Sequence, residues 1–257
     1  MQIAMARTRR VAATAVFTAF VFVTTFSFAV TTSTGGYFDV GEIMVYITAL
    51  VMGPYVGAFA GGVGSAMSDA LLAPQYAPGT LVIKACEGFI VGYLGQRGFR
   101  ESPRVHKGVG IVLGVIVAVV VLVVGLISFP DASLLLGQPG LTPTTATADV
   151  SVSAVIWAAL AVIAFAVTLI FSREIGPKFT WVALAILVGG AEMVAGYFLY
   201  ETGILQIGLA APTAEIPVNA LQAIVGLVVA PPVAARVQTL FRRAPAVRVA
   251  ATGKEIG

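Results

Sequence analysis

The sequence predicts an all-α membrane protein, a multi-pass bundle of helices, and three observations support this fold class. The 257 residues are 58% hydrophobic and 11% charged, and the mean hydropathy is +0.98. Soluble domains carry about 25% charged residues, so this composition is typical of a membrane protein. Several apolar runs reach the roughly 20 residues that a helix needs to cross a bilayer. The sequence also lacks the period-two alternation that predicts a membrane barrel.

Eight apolar segments are predicted to be membrane-crossing helices. They are residues 11–30, 41–52, 55–72, 79–96, 108–128, 151–171, 179–200 and 216–235. The second segment is short, because a helix of its length rises only about 18 Å. It is therefore either a short separate helix or the first half of one helix that kinks at Gly53 and Pro54.

Basic residues favour the separate helix and place both termini in the cytoplasm. With eight crossings, every Lys and Arg except Lys84 lies on the side of the N-terminus, as the positive-inside rule requires. A single kinked helix would put the basic loop 97–107 outside. All charged residues in the predicted outer loops are acidic, and these are Asp39, Glu42, Asp131, Asp149, Glu201 and Glu215. The net charge of +3 reflects this topology, and the dispersed basic residues give little support to nucleic-acid binding.

Residues that carry out catalysis are scarce. The sequence has one histidine, His106, and one cysteine, Cys86, so it favours neither a His/Cys metal site nor an intramembrane Ser-His pair. It also lacks the G-x-x-x-x-G-K-[ST] phosphate loop. We therefore expect no enzyme activity, no cofactor and no metal, and we expect any ATP hydrolysis to occur in partner subunits.

Ionisable residues inside the predicted helices indicate a binding cavity or buried ion pairs. They are Asp69, Lys84, Glu87 and Glu192. An ionised group at the bilayer centre costs at least about 2.5 kcal/mol and usually faces a partner or a cavity. Lys84 and Glu87 lie three residues apart on one helix face, so Lys84 can pair with Glu87 or Asp69, or can bind a ligand. Both interpretations remain open.

More polar residues lie near the predicted outer ends of the helices. They are Tyr76, Tyr197, Asn219 and Gln222. Tyrosines at this depth are often interface anchors, and amides bond either a neighbouring helix or a ligand. Because these groups converge on the outer half of the bundle, a cavity there would suit a heterocyclic solute with several donors and acceptors.

Five ordered motifs carry a resemblance to a known family. They are GYFDVGE, GPYVGAFAGGVGSAMSDAL, PQYAPGTLVIKACEG, GYFLYE and PVNALQAIVG. In this order they resemble the substrate-binding S components of energy-coupling-factor (ECF) transporters, near the thiamine-precursor (hydroxymethylpyrimidine) and riboflavin-type members. The resemblance covers about residues 8–96 and 179–236 of a single membrane domain.

The resemblance implies a six-helix core with cytoplasmic ends, which binds a water-soluble vitamin or precursor near the outer face with high affinity. The implied partners are a membrane T component and two ATPase subunits, which together form an ABC-type importer in the lipid bilayer. Residues 108–171 then form an inserted transmembrane hairpin, and residues 237–257 a cytoplasmic tail. Because the hairpin adds two crossings, it preserves the topology of the core.

The resemblance also implies a lid in the segment STGGYFDVGE, residues 33–42. Its two glycines would let the chain fold back, and Tyr37 would stack on the vitamin. Asp39 and Glu42 would meet a polar edge of the ligand or cap the second helix. For Asp39, both roles remain open.

Ala15 and Ala19 stand four residues apart in the first predicted helix. This small-x-x-x-small spacing lets another helix approach closely, and from spacing alone packing within the bundle is the more common outcome. In the family that the chain resembles, such a pair is the docking surface for the T component. The resemblance therefore favours partner docking.

Two functions of other classes remain as alternatives. An autonomous secondary transporter or channel for a small polar solute could use Asp69, Lys84 and Glu87 as an ion relay, although the halves show no inverted repeat. An intramembrane enzyme has less support, because the sequence lacks a nucleophile paired with a base. Among vitamins, thiamine, its hydroxymethylpyrimidine precursor and riboflavin all suit a cavity of carboxylates, amides and tyrosines.

Overall fold

The computed structural model describes residues 7–31, 37–97, 103–128, 154–175 and 177–243. In these residues the chain forms eight α-helices and one short antiparallel sheet. The helices are α1 (Arg7–Ser27), α2 (Gly41–Met52), α3 (Pro54–Leu72), α4 (Ala77–Gly95), α5 (Pro103–Ser128), α6 (Ala154–Ile175), α7 (Pro177–Gly203) and α8 (Ala210–Arg243). The sheet pairs β1 (Val30–Thr31) with β2 (Tyr37–Phe38). The predicted all-helical class is confirmed, and each predicted segment corresponds to one helix.

Several sequence predictions concern residues outside the described ranges. These residues are the two glycines of the predicted lid, Gly35 and Gly36, the outer-loop residues Asp131 and Asp149, and residues 244–257 of the predicted tail. The predictions about them stay as predictions.

The ends of the helices differ from the prediction in one respect that matters for function. α7 continues to Gly203, and α8 begins at Ala210. Glu201 and Glu215, predicted to lie in outer loops, therefore lie inside these helices, and both are buried. The prediction is wrong because hydropathy marks a carboxylate as the end of a membrane segment, whereas the helical backbone continues past it. Glu42, which the predicted segment 41–52 includes, lies in the first turn of α2.

α2 and α3 form a helical hairpin. Gly53 lies between them with a φ of 93°, a left-handed conformation that glycine adopts readily and that allows the sharp reversal. Beyond the turn, Ala49 lies against Gly57. About one helical turn further along each helix, Val45 lies against Gly61, so the two helices run antiparallel. The alternative of one long kinked helix is not observed.

Small residues let neighbouring helices approach closely in the bundle. Gly88 of α4 lies against the backbone of α3, where an added Cβ would collide with it. Gly196 of α7 lies against Ile83 of α4. Gly226 of α8 lies against Tyr46 of α2. Together with α1, which packs on α2 and α3, these helices form the packed body that carries the site.

α5 and α6 form a second antiparallel hairpin at the side of this body. Gly110 lies against Ser172 at one end of the hairpin, and Gly125 lies against Trp157 at the other. Both helices also contact α7 and α8. Many of the described side chains of α6 are exposed, such as Val155, as expected for a helix that faces lipid.

Length and hydropathy support a membrane location. Within the described segments, four helices contain a long apolar window, and these are Arg10–Ser27, Ala77–Gly95, Trp181–Gly203 and Ala210–Leu240. Three further apolar windows are shorter, and these are Gly41–Met52, Gly110–Leu126 and Ala154–Ile170. Large apolar side chains such as Tyr55 and Leu199 are exposed on the outside of the bundle, which is typical of a surface in contact with lipid.

Candidate functional site

A cavity lies at the end of the bundle where α1, α3 and α7 end and where α2, α4 and α8 begin. It holds about 440 Å³ of empty space, and this volume includes space that is open to solvent. Its lining is rich in hydroxyl, carboxylate and amide groups, although the helices around it are mostly apolar. The lining residues are Thr25, Tyr37, Asp39, Ser65, Asp69, Tyr76, Thr80, Lys84, Tyr197, Glu201, Glu215, Asn219 and Gln222.

Regular helix spacing explains why these side chains share one cavity. Four helices each contribute at least two lining residues that are three or four positions apart, and residues at this spacing lie on the same face of a helix. They are Ser65 and Asp69 on α3, Thr80 and Lys84 on α4, Tyr197 and Glu201 on α7, and Glu215, Asn219 and Gln222 on α8. Because α3 and α7 end where α4 and α8 begin, these four sets of residues meet at the same end of the bundle.

Lys84 belongs to a buried group of side chains that we call the ion-pair cluster, formed by Glu42, Tyr46, Lys84 and Glu87. Lys84 Nζ donates to Glu42 Oε1 and lies 3.2 Å from Glu87 Oε2. The Tyr46 hydroxyl donates to Glu87 Oε1 over 2.6 Å. Of the two pairings predicted for Lys84, the one with Glu87 is observed, and the one with Asp69 is not found in the described part of the chain. Glu42 and Glu87 lie behind Lys84 and do not line the cavity.

Asp69, on α3, is hydrogen-bonded to both the strand β2 and the helix α4. The hydroxyls of Tyr37 and Thr80 both donate to its carboxylate. The Thr80 hydroxyl also lies 3.0 Å from the hydroxyl of Tyr197. These bonds fix Tyr37 of the predicted lid at the cavity wall.

Asp39 joins the start of α2 to α8. Its Oδ1 accepts the Gly41 N–H over 2.6 Å and so satisfies a free donor at the start of α2. Its Oδ2 accepts from Gln222 Nε2 over 3.2 Å, and the same amide donates to the Tyr37 carbonyl. Asp39 therefore both caps α2 and lines the cavity. Burial raises the pKa of Asp39 from 3.8 to about 6, and the positive charge of Lys84 opposes this rise.

Thr25 and Glu201 are two lining residues that we call the unpartnered groups. They are buried, with 3% and 1% of their surface exposed. Neither the Thr25 hydroxyl nor either carboxylate oxygen of Glu201 has a hydrogen-bond partner among the described residues. A buried polar group without a partner costs about 1 to 3 kcal/mol, and a charged one costs more. The unpartnered groups are therefore the part of the cavity that is best suited to receive polar groups of a ligand.

The remaining predicted binding residues divide between the cavity and its surroundings. Tyr76, Tyr197 and Asn219 line the cavity. Burial raises the pKa of Tyr76, which lies just before α4, and neighbouring carboxylates add to this rise. Glu192 is partly buried and does not line the cavity, and one of its carboxylate oxygens has no partner among the residues described.

Sequence reasoning missed several cavity residues as candidate contacts, and these are Thr25, Ser65, Thr80, Glu201 and Glu215. Helix spacing is the signal that could have found three of them. Thr80, Glu201 and Glu215 each lie four residues from a predicted site residue on the same helix. No comparable signal marks Thr25, because its place at the cavity depends on how α1 packs against α2.

Ala15 and Ala19 lie on an exposed face of α1, away from the cavity. The large apolar side chains of Val16 and Phe20 are exposed beside them. Packing of this alanine pair within the bundle is therefore not observed. The face is open to lipid or to a partner.

Residues 5–170 match the family model described as ECF-type riboflavin transporter, S component. A Pyrococcus woesei protein, described as an uncharacterized protein in the gap 3′ region, is 41% identical over 105 residues. This alignment covers 41% of the chain and 65% of the relative, so the chain spans just under two thirds of that protein's length. No solved structure matches the chain.

The range of the family match differs from the range of the motif resemblance. The match includes α5 and most of α6 and ends before α7, whereas the motifs GYFLYE and PVNALQAIVG lie in α7 and α8. The division into a core and an inserted hairpin therefore stays a prediction. The match does cover more than half of the chain.

The matched family has a known class of function. ECF S components are membrane transport proteins rather than enzymes. They bind vitamin-type substrates and associate with the T and ATPase modules of the transporter. The polar cavity within an apolar helical bundle suits this class. On the strength of the match over residues 5–170, the chain belongs to the family of ECF-type riboflavin transporter S components.

Proposed function

We propose that the chain binds a water-soluble vitamin or vitamin precursor in the cavity and delivers it to the ECF module. The observation that carries the proposal is the buried polar cavity, whose lining includes Thr25 and Glu201 without hydrogen-bond partners among the described residues. Buried polar groups in folded proteins are nearly always hydrogen-bonded, so unpaired groups point to a missing partner. Thiamine, hydroxymethylpyrimidine and riboflavin-like compounds carry donors and acceptors that would supply one.

We assign the ligand contacts to the residues that line the cavity. Tyr37, Tyr76 and Tyr197 offer aromatic faces on which a heterocycle can stack. Asn219 offers both a donor and an acceptor for a ring edge. Lys84 also lines the cavity, but its charge is paired with Glu42 and Glu87, so we assign these three residues a supporting role.

We infer eight alternating crossings, with both termini in the cytoplasm and the cavity towards the outside. Alternation requires α2 and α8 to run in the same direction, and two hydrogen bonds support this. Asp39, before α2, accepts from Gln222 in the first half of α8. Leu50, near the end of α2, accepts from Gln238 near the end of α8. Basic residues such as Arg97, which follows α4, lie at the end opposite the cavity.

We propose that residues 8–96 and 179–236 form the vitamin-binding core and that residues 108–171 are an inserted hairpin. The described lining residues come from α1, α3, α4, α7, α8 and the segments before α2 and α4. Within the described residues, α5 and α6 contribute none. The hairpin is apolar, and we assign it a role in packing against lipid.

We propose that the face around Ala15 and Ala19 docks on the T component, while two ATPase subunits supply the energy. Small side chains let two helices approach closely in a membrane, and this pair is exposed on α1. The same helix carries Thr25 at the cavity. A partner bound to α1 would therefore contact a helix that also lines the vitamin site.

Native mass spectrometry of the gently purified chain tests the proposal. We expect a peak that is heavier than the chain by the mass of one vitamin and that disappears when the chain is unfolded. A chain that retains no small molecule, and that no vitamin of a broad panel stabilises against heat, would contradict the proposal. Uptake by cells that lack every coupling subunit would instead favour an autonomous transporter.

A further inference from the structure

The charges of the cavity point to the class of ligand that it selects. We propose that the cavity prefers a cationic or amine-bearing heterocycle over a neutral one of similar shape, and that Glu201 is the partner of the ligand's positive charge. This inference rests on the proposed vitamin-binding function and narrows it. It concerns the same site and the chemistry of its occupant.

Acidic side chains outnumber basic ones in the cavity. Among the described lining residues, the acidic ones are Asp39, Asp69, Glu201 and Glu215, and the basic one is Lys84. The charge of Lys84 is already balanced by two carboxylates behind it, with which it forms ion pairs. When its carboxylates are ionised, the cavity therefore presents a negative potential, which repels anions and attracts cations.

The hydrogen bonds of these acids show which of them needs a partner. Asp39 accepts from the Gly41 N–H and from Gln222. Asp69 accepts from two hydroxyls. Glu201 differs, because it is 1% exposed and neither of its oxygens has a partner among the described residues. An ionised carboxylate in such a place needs a compensating charge or donors.

A ligand with a positively charged ring or an ammonium group supplies what Glu201 lacks. A charge-assisted hydrogen bond or ion pair with Glu201 would satisfy the carboxylate. Tyr76 lines the same cavity and offers an aromatic face for a cationic ring. The buried Thr25 hydroxyl, also unpartnered, can donate to a ring nitrogen or accept from an amino group.

A metal ion is a poorer occupant than an organic cation. Across the residues that the structure describes, no group of three or more His, Cys, Asp or Glu side chains could hold a metal ion. The lining instead combines carboxylates with tyrosines and amides. This combination suits a polar heterocycle that carries a charge.

Matched ligand pairs test the inference on the full chain in detergent or nanodiscs. The first pair is thiamine, a cation, and thiochrome, its neutral ring-closed oxidation product. The second pair is pyridoxamine, which carries an ammonium group, and pyridoxine, which carries a hydroxyl in its place. Riboflavin is the neutral vitamin for comparison. Equilibrium binding and thermal stabilisation are measured for each compound.

We expect the cationic member of at least one pair to bind about 10- to 100-fold more tightly than its neutral partner, as hydrogen bonds to charged groups imply. Glu201→Gln keeps the shape of the side chain and removes its charge, so it should abolish this preference. Thr202→Val is the matched control, because Thr202 lies beside Glu201 on α7 without lining the cavity. The control should retain the preference.

Three outcomes would overturn the inference. If a neutral vitamin binds as tightly as the cationic ones or more tightly, the inference fails while the proposed function stands. If Glu201→Gln retains the preference, the assignment of Glu201 fails. If no vitamin binds, both the inference and the proposed function fail. The wild-type comparison of matched ligands decides the first outcome even when a variant does not fold.

Discussion

The ion-pair cluster and the unpartnered groups lie in one bundle, but they differ in whether their buried polar atoms have hydrogen-bond partners. Lys84 and Tyr46 donate to three of the four carboxylate oxygens of Glu42 and Glu87. Glu201 receives no hydrogen bond from any described residue. The comparison separates carboxylates that hold helices together from a carboxylate that is free for a ligand.

The position of the two groups fits this division. The ion-pair cluster links α2 to α4 behind the cavity wall, where Glu87 is fully buried. The unpartnered groups lie on α1 and α7 and line the cavity itself. We therefore expect substitutions in the cluster to change the free energy of unfolding, and substitutions in the cavity lining to change the affinity for ligand.

The largest effect is expected when Lys84 is replaced. Lys84→Met leaves Glu42 and Glu87 as buried carboxylates without a cation, and removing one partner of a buried ion pair costs about 3 to 5 kcal/mol. Unfolding of the purified chain by heat or denaturant measures this loss. A matched variant that combines Lys84→Met with Glu42→Gln and Glu87→Gln should regain part of it. Unchanged stability with lost binding would make Lys84 a direct ligand contact instead.

The next largest effect distinguishes the ion-pair cluster from the cavity lining. Glu87→Gln removes a charge that pairs with Lys84, so we expect it to lower stability by about 1 to 3 kcal/mol and to leave the affinity of the folded fraction unchanged. Asn219→Ala removes an amide from the cavity wall, so we expect it to weaken binding by a similar amount, about 1 to 3 kcal/mol, and to leave stability unchanged. Equilibrium binding together with a thermal melt distinguishes them. The reverse pattern would contradict the division.

How much of this arrangement the sequence predicts depends on how far apart the interacting residues are along the chain. Apolar runs predict all eight helices, because a membrane span needs a long apolar surface in one segment. Lys84 and Glu87 are predictable neighbours because they share a helix face. The bond from Lys84 to Glu42 joins residues 42 positions apart and depends on how α2 packs against α4. Hydropathy alone also misplaces Glu201 in a loop.

A smaller effect is expected from the titration of Asp39. Burial raises its pKa from 3.8 to about 6, so the folded chain holds this proton more tightly than the unfolded chain. The contribution of Asp39 to stability is therefore most favourable at low pH and falls as the pH rises between these two values. Asp39→Asn keeps the acceptor for the Gly41 N–H and removes the titration.

Thermal melts of the wild type and of Asp39→Asn at several pH values measure the contribution of this titration to stability. We expect the wild type to lose more stability than Asp39→Asn as the pH rises through this window. Parallel curves for the two chains would show that Asp39 does not titrate there. Lys84 and Glu87 also act on the Asp39 carboxylate, so their variants are measured alongside.

The smallest effect on stability and affinity is expected far from both groups. Ala15→Trp enlarges a side chain on the exposed face of α1, so it should leave unfolding and vitamin affinity unchanged. It should nevertheless abolish uptake in cells that express the T component and ATPases, because a close helix contact needs small side chains. Ser27→Trp, also exposed on α1, serves as a control for bulk alone. Loss of binding together with uptake would mean that this face supports the bundle.

A ligand-bound structure of the chain with its retained vitamin tests the central claim most directly. We predict that the vitamin occupies the cavity, with a donor or positive group within hydrogen-bond distance of Glu201 and a polar atom near the Thr25 hydroxyl. The ion pairs of Lys84 with Glu42 and Glu87 should remain in place. A vitamin bound elsewhere, or a Glu201 whose carboxylate is satisfied by other residues of the chain while the ligand is bound, would contradict the account.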